Sequence, residues 1–403
     1  MPLGLYLSVP FCRTKCTYCN FASDVFSRAV FRRYVDRVSA NIAQAEQTSE
    51  KVGGRLEPTA DSIYLGGGTP TVLDASELER LLGMLKSTFD VSAQAEATVE
   101  CAPGTLSDGV IETFRHCGVN RVSLGVQSFI DREAAAVGRL HKCATVLDDI
   151  ARLRAAGISN INVDLIAGLP HQTSESWELS LAQVIALEVP HVSVYMLEID
   201  EDSRLGRELI AGGTKYHAHF VPDEDLTADL YEAACERLGR VGIEQYEISN
   251  FARPGWQSQH NLKYWTRQPY FGFGVDAHSM LPRADEATEA VRFSTPDVLD
   301  LYVSGGEGKA TVVSREQALE EAFFLGLRLN CGVDLNVLHA DFGRSVEAYE
   351  PAIAELRQTG LVNRDRNIIS LTARGRLLSN EVFGRFLLQP HEADRNQCPK
   401  TGV

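Results

Sequence analysis

The stretch YLSVPFCRTKCTYCNF, residues 6–21, opens as an apolar run and closes on three cysteines, Cys12, Cys16 and Cys19, spaced C-x3-C-x2-C. The run GLYLSV (residues 4–9) has the length and composition of a β-strand, and a helical pattern follows it. The unit recurs at SIYLG (62–66), EATVE (96–100), RVSLGV (121–126), INVDLI (161–166) and HVSVYML (191–197). Between them, ASELERLLGMLKSTF and SESWELSLAQVIALE place apolar residues at i, i+3, i+4 and i+7 behind a Ser cap with Glu close by, as amphipathic helices do. Strands alternating with helices predict a parallel sheet, and six such units predict an α/β fold built on a partial (β/α)6 barrel over residues 1–220.

Outward from that barrel the pattern changes. Residues 221–310 read as an α+β extension, with a helix at PDEDLTADLYEAACERLG (222–239), a strand at QYEIS (245–249) and a Gly- and aromatic-rich stretch over 251–280. Residues 311–389 read as a winged-helix-like domain: three helical segments, a β-like wing LVNRDRNIISLT and a last helix. The tail, 390–403, is expected to be disordered. A winged helix raises the question of nucleic acid, but Ser314 to Gln389 holds nine Arg and no Lys against ten Asp plus Glu. A DNA reader needs a basic excess there, so a structural or partner-docking role is expected instead.

The 403 residues, 44% hydrophobic and 23% charged, fit a globular protein of two or three domains or one large barrel with additions, and the net charge of −15 argues against coating nucleic acid or anionic membrane. No run approaches the length of a spanning helix, and the N-terminus carries no basic segment ahead of a cleavable apolar one, so a cytoplasmic location is expected. Thiols stay reduced there, which makes clustered cysteines metal ligands or catalytic groups rather than disulfides. Cys101, Cys117, Cys143, Cys235, Cys331 and Cys398 are scattered singly and read as small buried hydrophobes.

In a parallel barrel the working groups sit at the C-terminal ends of the strands, where the loops converge on one mouth. Cys12 follows the first strand, GGGTP (Gly66–Pro70) ends the second, Glu100 the third and Gln127 the fourth, while Asp164 lies in the fifth. Three cysteines in one loop fall short of the four ligands of a structural zinc site, and no nearby His or Cys completes the set. They suit a [4Fe-4S] cluster whose fourth iron is left to a non-protein ligand. The three glycines allow close backbone approach to something chelating that iron, and Glu100 and Asp164 are placed to bond a ligand amine or hydroxyl.

CRTKCTYC matches the cluster signature of the radical S-adenosylmethionine (SAM) enzymes. YLGGGTPT, VECAPGTL, GVNRVSLGVQSF, NVDLIAGLP, YEISNFARPG, HNLKYW and FFLGLRLNCGVDL extend the likeness over about residues 3–385. The chain resembles the branch that holds oxygen-independent coproporphyrinogen III oxidase and the HemW-like haem chaperones. The resemblance implies that SAM chelates the open iron through its amino and carboxylate groups. An electron passed through the cluster then cleaves SAM to a 5′-deoxyadenosyl radical, and a donor such as flavodoxin or ferredoxin supplies it. It implies that Tyr6 and Tyr18 flank the cluster, that Gly67, Gly68 and Thr69 hold the methionine end, and that Glu100, Gln127, Arg139 and Asp164 line the rest of the SAM site. The chain departs from the family in two places: Ser8 stands where a His is usual, and Asp276 where a Gly is common.

Within that branch, the oxidases extend the cluster motif to a fourth cysteine and carry an N-terminal extension. Here Phe21 takes the cysteine's place and eleven residues precede Cys12, which favours the chaperone. HNLKYW (260–265) matches the segment proposed to bind haem in the chaperones, with His260 as the iron ligand and Tyr264 and Trp265 near enough to stack on a macrocycle. His278 is the second candidate, and His217 and His219 are expected to be exposed. The expectation is therefore a haem chaperone that hands haem to an unidentified acceptor protein. The alternative is decarboxylation of coproporphyrinogen III to protoporphyrinogen IX. Whether the chain is an enzyme, and whether it forms a homodimer, is left open by the sequence.

Overall fold

The computed structural model describes residues 1–285 and 289–387. The expected tail at 390–403 and Cys398 lie outside the described residues. Six strands run in parallel and in chain order: β1 (Leu3–Val9), β2 (Thr59–Gly67), β3 (Asp90–Cys101), β4 (Arg121–Gln127), β5 (Asn160–Ala167) and β6 (His191–Met196). Their outward residues, among them Leu5, Leu7, Ile63, Leu65, Val99, Val122, Leu124, Ile161, Val163, Val192 and Val194, are fully buried beneath the helices. That helical layer on the outer face accounts for the apolar residue at every second position of these strands.

Helix Ala75–Thr88 shows the local logic. Leu78, Leu81, Leu82 and Leu85 form its buried stripe, and the Asp74 amide donates to Glu77 Oε2 at 3.0 Å. The N-caps are Asp74 here and Thr173 on helix Ser174–Ala186, slightly earlier than the serines expected from the sequence, because the side chain that reaches the first free amides sits just outside the helical periodicity.

The extension does not stand apart. It supplies strands to both edges of the barrel sheet: β7 (Glu244–Gln245) and β8 (Asn250–Ala252) on β6, and β9 (Tyr270–Gly274), parallel to β1, followed by antiparallel β10 (His278–Pro282), β11 (Ala290–Ser294) and β12 (Lys309–Val313). Among the described residues this makes one sheet of twelve strands. The expected strand at 245–249 is instead a reversal between β7 and β8. Glu247 turns inward there, and its carboxylate accepts from the Ser249 amide at 3.0 Å.

Beyond β12, helices Arg315–Gly326, Leu335–Phe342 and Glu350–Gln358 and the wing strands Val362–Asp365 and Ile368–Leu371 share a separate core around Phe323, Tyr349, Ile353, Ile369 and Phe386. Arg328 joins this core to the barrel: its guanidinium lies over the Trp265 ring at 4.2 Å and meets the Glu247 carboxylate at 3.4 Å. No helix among the described residues is long and apolar enough to cross a membrane. Cys101 and Cys117 are buried as expected, Cys143 and Cys235 are half-buried, and Cys331 is exposed.

Candidate functional site

Strand side chains alternate between faces, so the residues between the outward apolar ones point into the barrel. They are polar: Tyr6 and Ser8 on β1, Ser62 and Tyr64 on β2, Glu96, Thr98 and Glu100 on β3, Arg121 and Ser123 on β4, Asn162 and Asp164 on β5, and His191 and Ser193 on β6. A barrel interior is usually filled with branched apolar side chains; this one is a hydrogen-bonded network. Asn162 Nδ2 lies within hydrogen-bonding distance of Ser123 Oγ (2.8 Å), Asp164 Oδ1 (2.7 Å) and Ser193 Oγ (3.0 Å), which share its two hydrogens, and Ser193 Oγ donates to Asn250 Oδ1 at 2.8 Å. Each strand alone looks apolar enough to hide this, but the polar residues at every second position are the sequence signal that marks it.

At the mouth, β1 runs straight into the cysteine loop. A single bridge between Phe11 and Asp24 closes the loop, with Cys12 N donating to Asp24 O and Asp24 N to Pro10 O, each at 3.0 Å. Neighbouring elements pin its middle: Thr17 N reaches Val137 O at 3.2 Å and Leu205 N reaches Thr17 O at 2.8 Å. Cys12, Cys16 and Cys19 are free and half-buried. Burial raises the Cys12 and Cys19 thiols above their ordinary range, and the neighbouring thiols push the same way. Three thiols gathered in one loop suit a cationic iron–sulfur core, which binds them as thiolates and neutralises their charge. Among the described residues no three His, Cys, Asp or Glu side chains converge on a single-ion site. A cubane takes its thiolates at separate irons and needs no such convergence.

The Gly66–Gly68 turn faces this loop. A Cβ on Gly66 would lie 2.8 Å from the Glu100 carboxyl carbon, and one on Gly67, whose φ is 91°, would lie 2.6 Å from Ser8 Oγ. Only glycine fits these approaches. Thr69 Oγ1 donates towards Cys12 Sγ at 3.7 Å. Glu100 Oε1 accepts from Tyr64 OH at 2.8 Å, and burial, relieved in part by that bond and reinforced by Asp164, lifts the Glu100 carboxyl to about 7. Asp164 is likewise raised by burial, against the hydrogen bonds it accepts.

β4 ends in an irregularity that carries Gln127 at φ 70° and turns its amide inward. Arg139 lies over Gly125 and donates from Nη2 to Tyr18 OH at 3.2 Å. Gln127 Oε1, Arg139 Nε and Thr98 Oγ1 are buried without a protein partner. Unpaired buried polar atoms are costly, and the Gln127 and Arg139 side chains, which meet beside Gly125, are placed to receive a polar ligand. Tyr18 packs on Val137, Ile166 and Leu169 beside the loop. The structure therefore brings Cys12, Cys16, Cys19, Tyr6, Tyr18, Gly67, Gly68, Thr69, Glu100, Gln127, Arg139 and Asp164 to one mouth. Gly66 and Tyr64 join them.

His260 is elsewhere. Helix Gln259–Trp265 lies inside the N-terminal end of the barrel, and Glu96 holds its first turn by accepting from Ser258 Oγ (3.3 Å), the Gln259 amide (3.2 Å) and the His260 amide (3.2 Å). The His260 imidazole is 1% exposed, with Nδ1 3.0 Å from Ser62 Oγ and Nε2 2.8 Å from Tyr264 OH, and it stacks on Tyr64 at 5.2 Å. Burial, with Lys263 and Arg121 adding to it, pushes its pKa down to about 3. Both ring nitrogens of the expected haem ligand are therefore engaged within the protein, and the ring is buried beneath Tyr64 and Tyr6. Trp265 is also buried, under Arg328, with no free face for a macrocycle. His278 is exposed, 3.7 Å from Asp276, and Asp276 has a φ of 54°, which accounts for the glycine usual there.

Residues 6–184 match the Radical SAM superfamily and residues 313–378 the HemN C-terminal domain, so fold and site define a radical SAM protein. The chain is 34% identical to the heme chaperone HemW of Lactococcus lactis, covering 96% of this chain and 98% of that protein, and 34% identical to HemW of Bacillus subtilis over 95% and 98%. It belongs to the HemW family. Its fold also matches coproporphyrinogen III oxidase (HemN) from Escherichia coli, with a TM-score of 0.79, 24% identity, and coverage of 96% of this chain and 90% of that one.

Proposed function

We propose that this chain is a haem chaperone, binding haem and releasing it to an acceptor protein while holding a SAM-ligated iron–sulfur cluster at the barrel mouth. The reading is carried by full-length likeness to curated haem chaperones around a complete set of mouth residues. Phe21, 45% exposed at the edge of the cysteine loop, stands where the oxidases place a further cysteine.

Cys12, Cys16 and Cys19 would hold three irons and leave the fourth to SAM; the cluster, when bound, supplies one-electron reduction. Arg139 offers two parallel donors to a carboxylate, with Tyr18 fixing its orientation. The buried carbonyl of Gln127 can accept from an ammonium. Glu100 and Asp164 can accept from hydroxyl or amine groups, and Tyr64 and Asn162 hold the two carboxylates in place. Partner binding by the C-terminal domain and electron delivery by a small flavin or iron–sulfur protein belong to the same proposal.

The test is transfer. Reconstituted protein loaded with haem is mixed with an apo-haemoprotein, and the acceptor's absorption bands are followed. Appearance of holo-acceptor faster than from free haem is expected; retention of all haem by this chain would count against a chaperone.

A further inference from the structure

Of the histidines among the described residues, His141, His191 and His260 are buried, and each has a ring nitrogen bonded within the protein. His116, His278 and His339 are exposed singly, each near one acceptor: Glu79 at 3.7 Å, Asp276 at 3.7 Å and Gly343 O at 3.2 Å. The other three gather around one phenyl ring. Phe220, 45% exposed, has ring centroids 4.0 Å from both His171 and His219, and His171 Nε2 lies 3.2 Å from His217 Nδ1. The backbone fixes the group, with His171 N donating to Phe220 O and Phe220 N to His217 O, each at 2.9 Å.

Proton bookkeeping distinguishes the three rings. Arg132 Nη2 lies 3.0 Å from His171 Nδ1 and can only donate, so that nitrogen accepts and the neutral ring carries its proton on Nε2. Burial, Arg132 and the neighbouring histidines keep His171 neutral by lowering its pKa. Its Nε2–H therefore donates to His217 Nδ1, which leaves His217 Nε2 as an outward N–H donor without a lone pair for a metal. His219 is bound by neither constraint: its ring touches Phe220, and neither nitrogen makes a hydrogen bond among the described residues.

The surroundings complete a surface for a flat apolar dianion. Helix Arg204–Ala211 holds the histidine loop by its Glu208 carboxylate, which accepts from the Tyr216 amide at 2.7 Å and the Ala218 amide at 3.2 Å. The next two residues of that helix, Leu209 and Ile210, are 50% and 69% exposed. Lys215 is exposed beside Tyr216, and its ammonium lies 5.1 Å from that ring. In the first turn of that helix the Leu205 amide donates to Thr17 O in the cysteine loop at 2.8 Å, which ties this helix to the cluster loop.

We infer that haem docks here, with His219 as the ligand of its iron, Phe220, Leu209 and Ile210 against the macrocycle, and the His217 N–H with Arg132 and Lys215 facing the propionates. The inference rests on the haem-chaperone reading and locates its cargo. A bare metal ion is not the better occupant, because no three ligating side chains converge among the described residues, whereas haem iron asks the protein for one imidazole.

The test titrates ferric protohaem into anaerobically reconstituted wild type, His219→Ala, His219→Cys, His260→Ala and His278→Ala, following the Soret band. Wild type, His260→Ala and His278→Ala should share an imidazole-ligated spectrum. His219→Ala should bind at least about tenfold more weakly, and His219→Cys should move the band to a thiolate-ligated position, a gain that loss of folding cannot imitate. A wild-type spectrum and affinity in both His219 variants would overturn the assignment while leaving the chaperone standing. Absence of haem binding by wild type would remove both.

Discussion

Replacing His260 by Ala should destabilise the protein at neutral pH and do so less in mild acid. The substitution removes a fully enclosed ring that bonds Ser62 and Tyr264 and stacks on Tyr64. Truncating a buried aromatic ring to Ala costs ~3–5 kcal/mol, within which an abandoned buried hydroxyl accounts for ~1–3 kcal/mol. The acid limb follows from protonation. The folded imidazole sits at about 3, below its unfolded value of roughly 6.5. The unfolded chain thus binds the extra proton first, and stability contributed by the neutral ring is complete above the unfolded value and lost as pH falls towards the folded one. At pH 5 that loss is roughly 2 kcal/mol. Glu100, raised to about 7, acts in the opposite sense, but it is present in both proteins and largely cancels in their difference. Urea unfolding of the cluster-free forms avoids metal release. The deficit of His260→Ala should be ~3–5 kcal/mol at pH 7.5 and smaller by roughly 2 kcal/mol at pH 5. An unchanged midpoint at pH 7.5, or an equal deficit at both pH values, would refute the sealed, neutral imidazole.

Triple replacement of Cys12, Cys16 and Cys19 by Ala should abolish the uptake of about four irons and four sulfides expected of the wild type on anaerobic reconstitution; stoichiometric zinc without iron in the wild type would contradict the assignment. Glu100→Gln and Asp164→Asn should each weaken SAM binding by ~1–3 kcal/mol in equilibrium dialysis. Because the Glu100 carboxyl titrates at about 7 and its ionised form is the better acceptor, wild-type SAM affinity should fall between pH 8 and pH 6. Glu100→Gln should lose that slope.

The barrel was legible because covered parallel strands announce themselves: Leu3, Leu5, Leu7 and Val9 need burial whichever strand lies beside them. The cysteine loop, Gly67, Glu100 and Asp164 were legible because they end those strands, and strand ends converge. Less visible was what depends on contacts far apart in the chain. Asp90–Gln94 (DVSAQ) extend β3 although Asp90, Ala93 and Gln94 are exposed and no apolar alternation marks them, and β9 joins β1 from more than two hundred residues away. HNLKYW spans too few residues for its helical period to show. Its burial is decided by Glu96 on β3 and by Gly4 on β1, where a Cβ would lie 2.8 Å from the Lys263 side chain. The surface histidines His171, His217 and His219 come from two loops, and only folding brings them together.

The central claim is tested most directly by incubating reconstituted protein with SAM, a low-potential reductant and coproporphyrinogen III, and assaying tetrapyrrole products by mass. The account predicts that coproporphyrinogen is recovered intact from a preparation that binds haem stoichiometrically. Conversion to a vinyl product over many turnovers would contradict it and make the chain an oxidase.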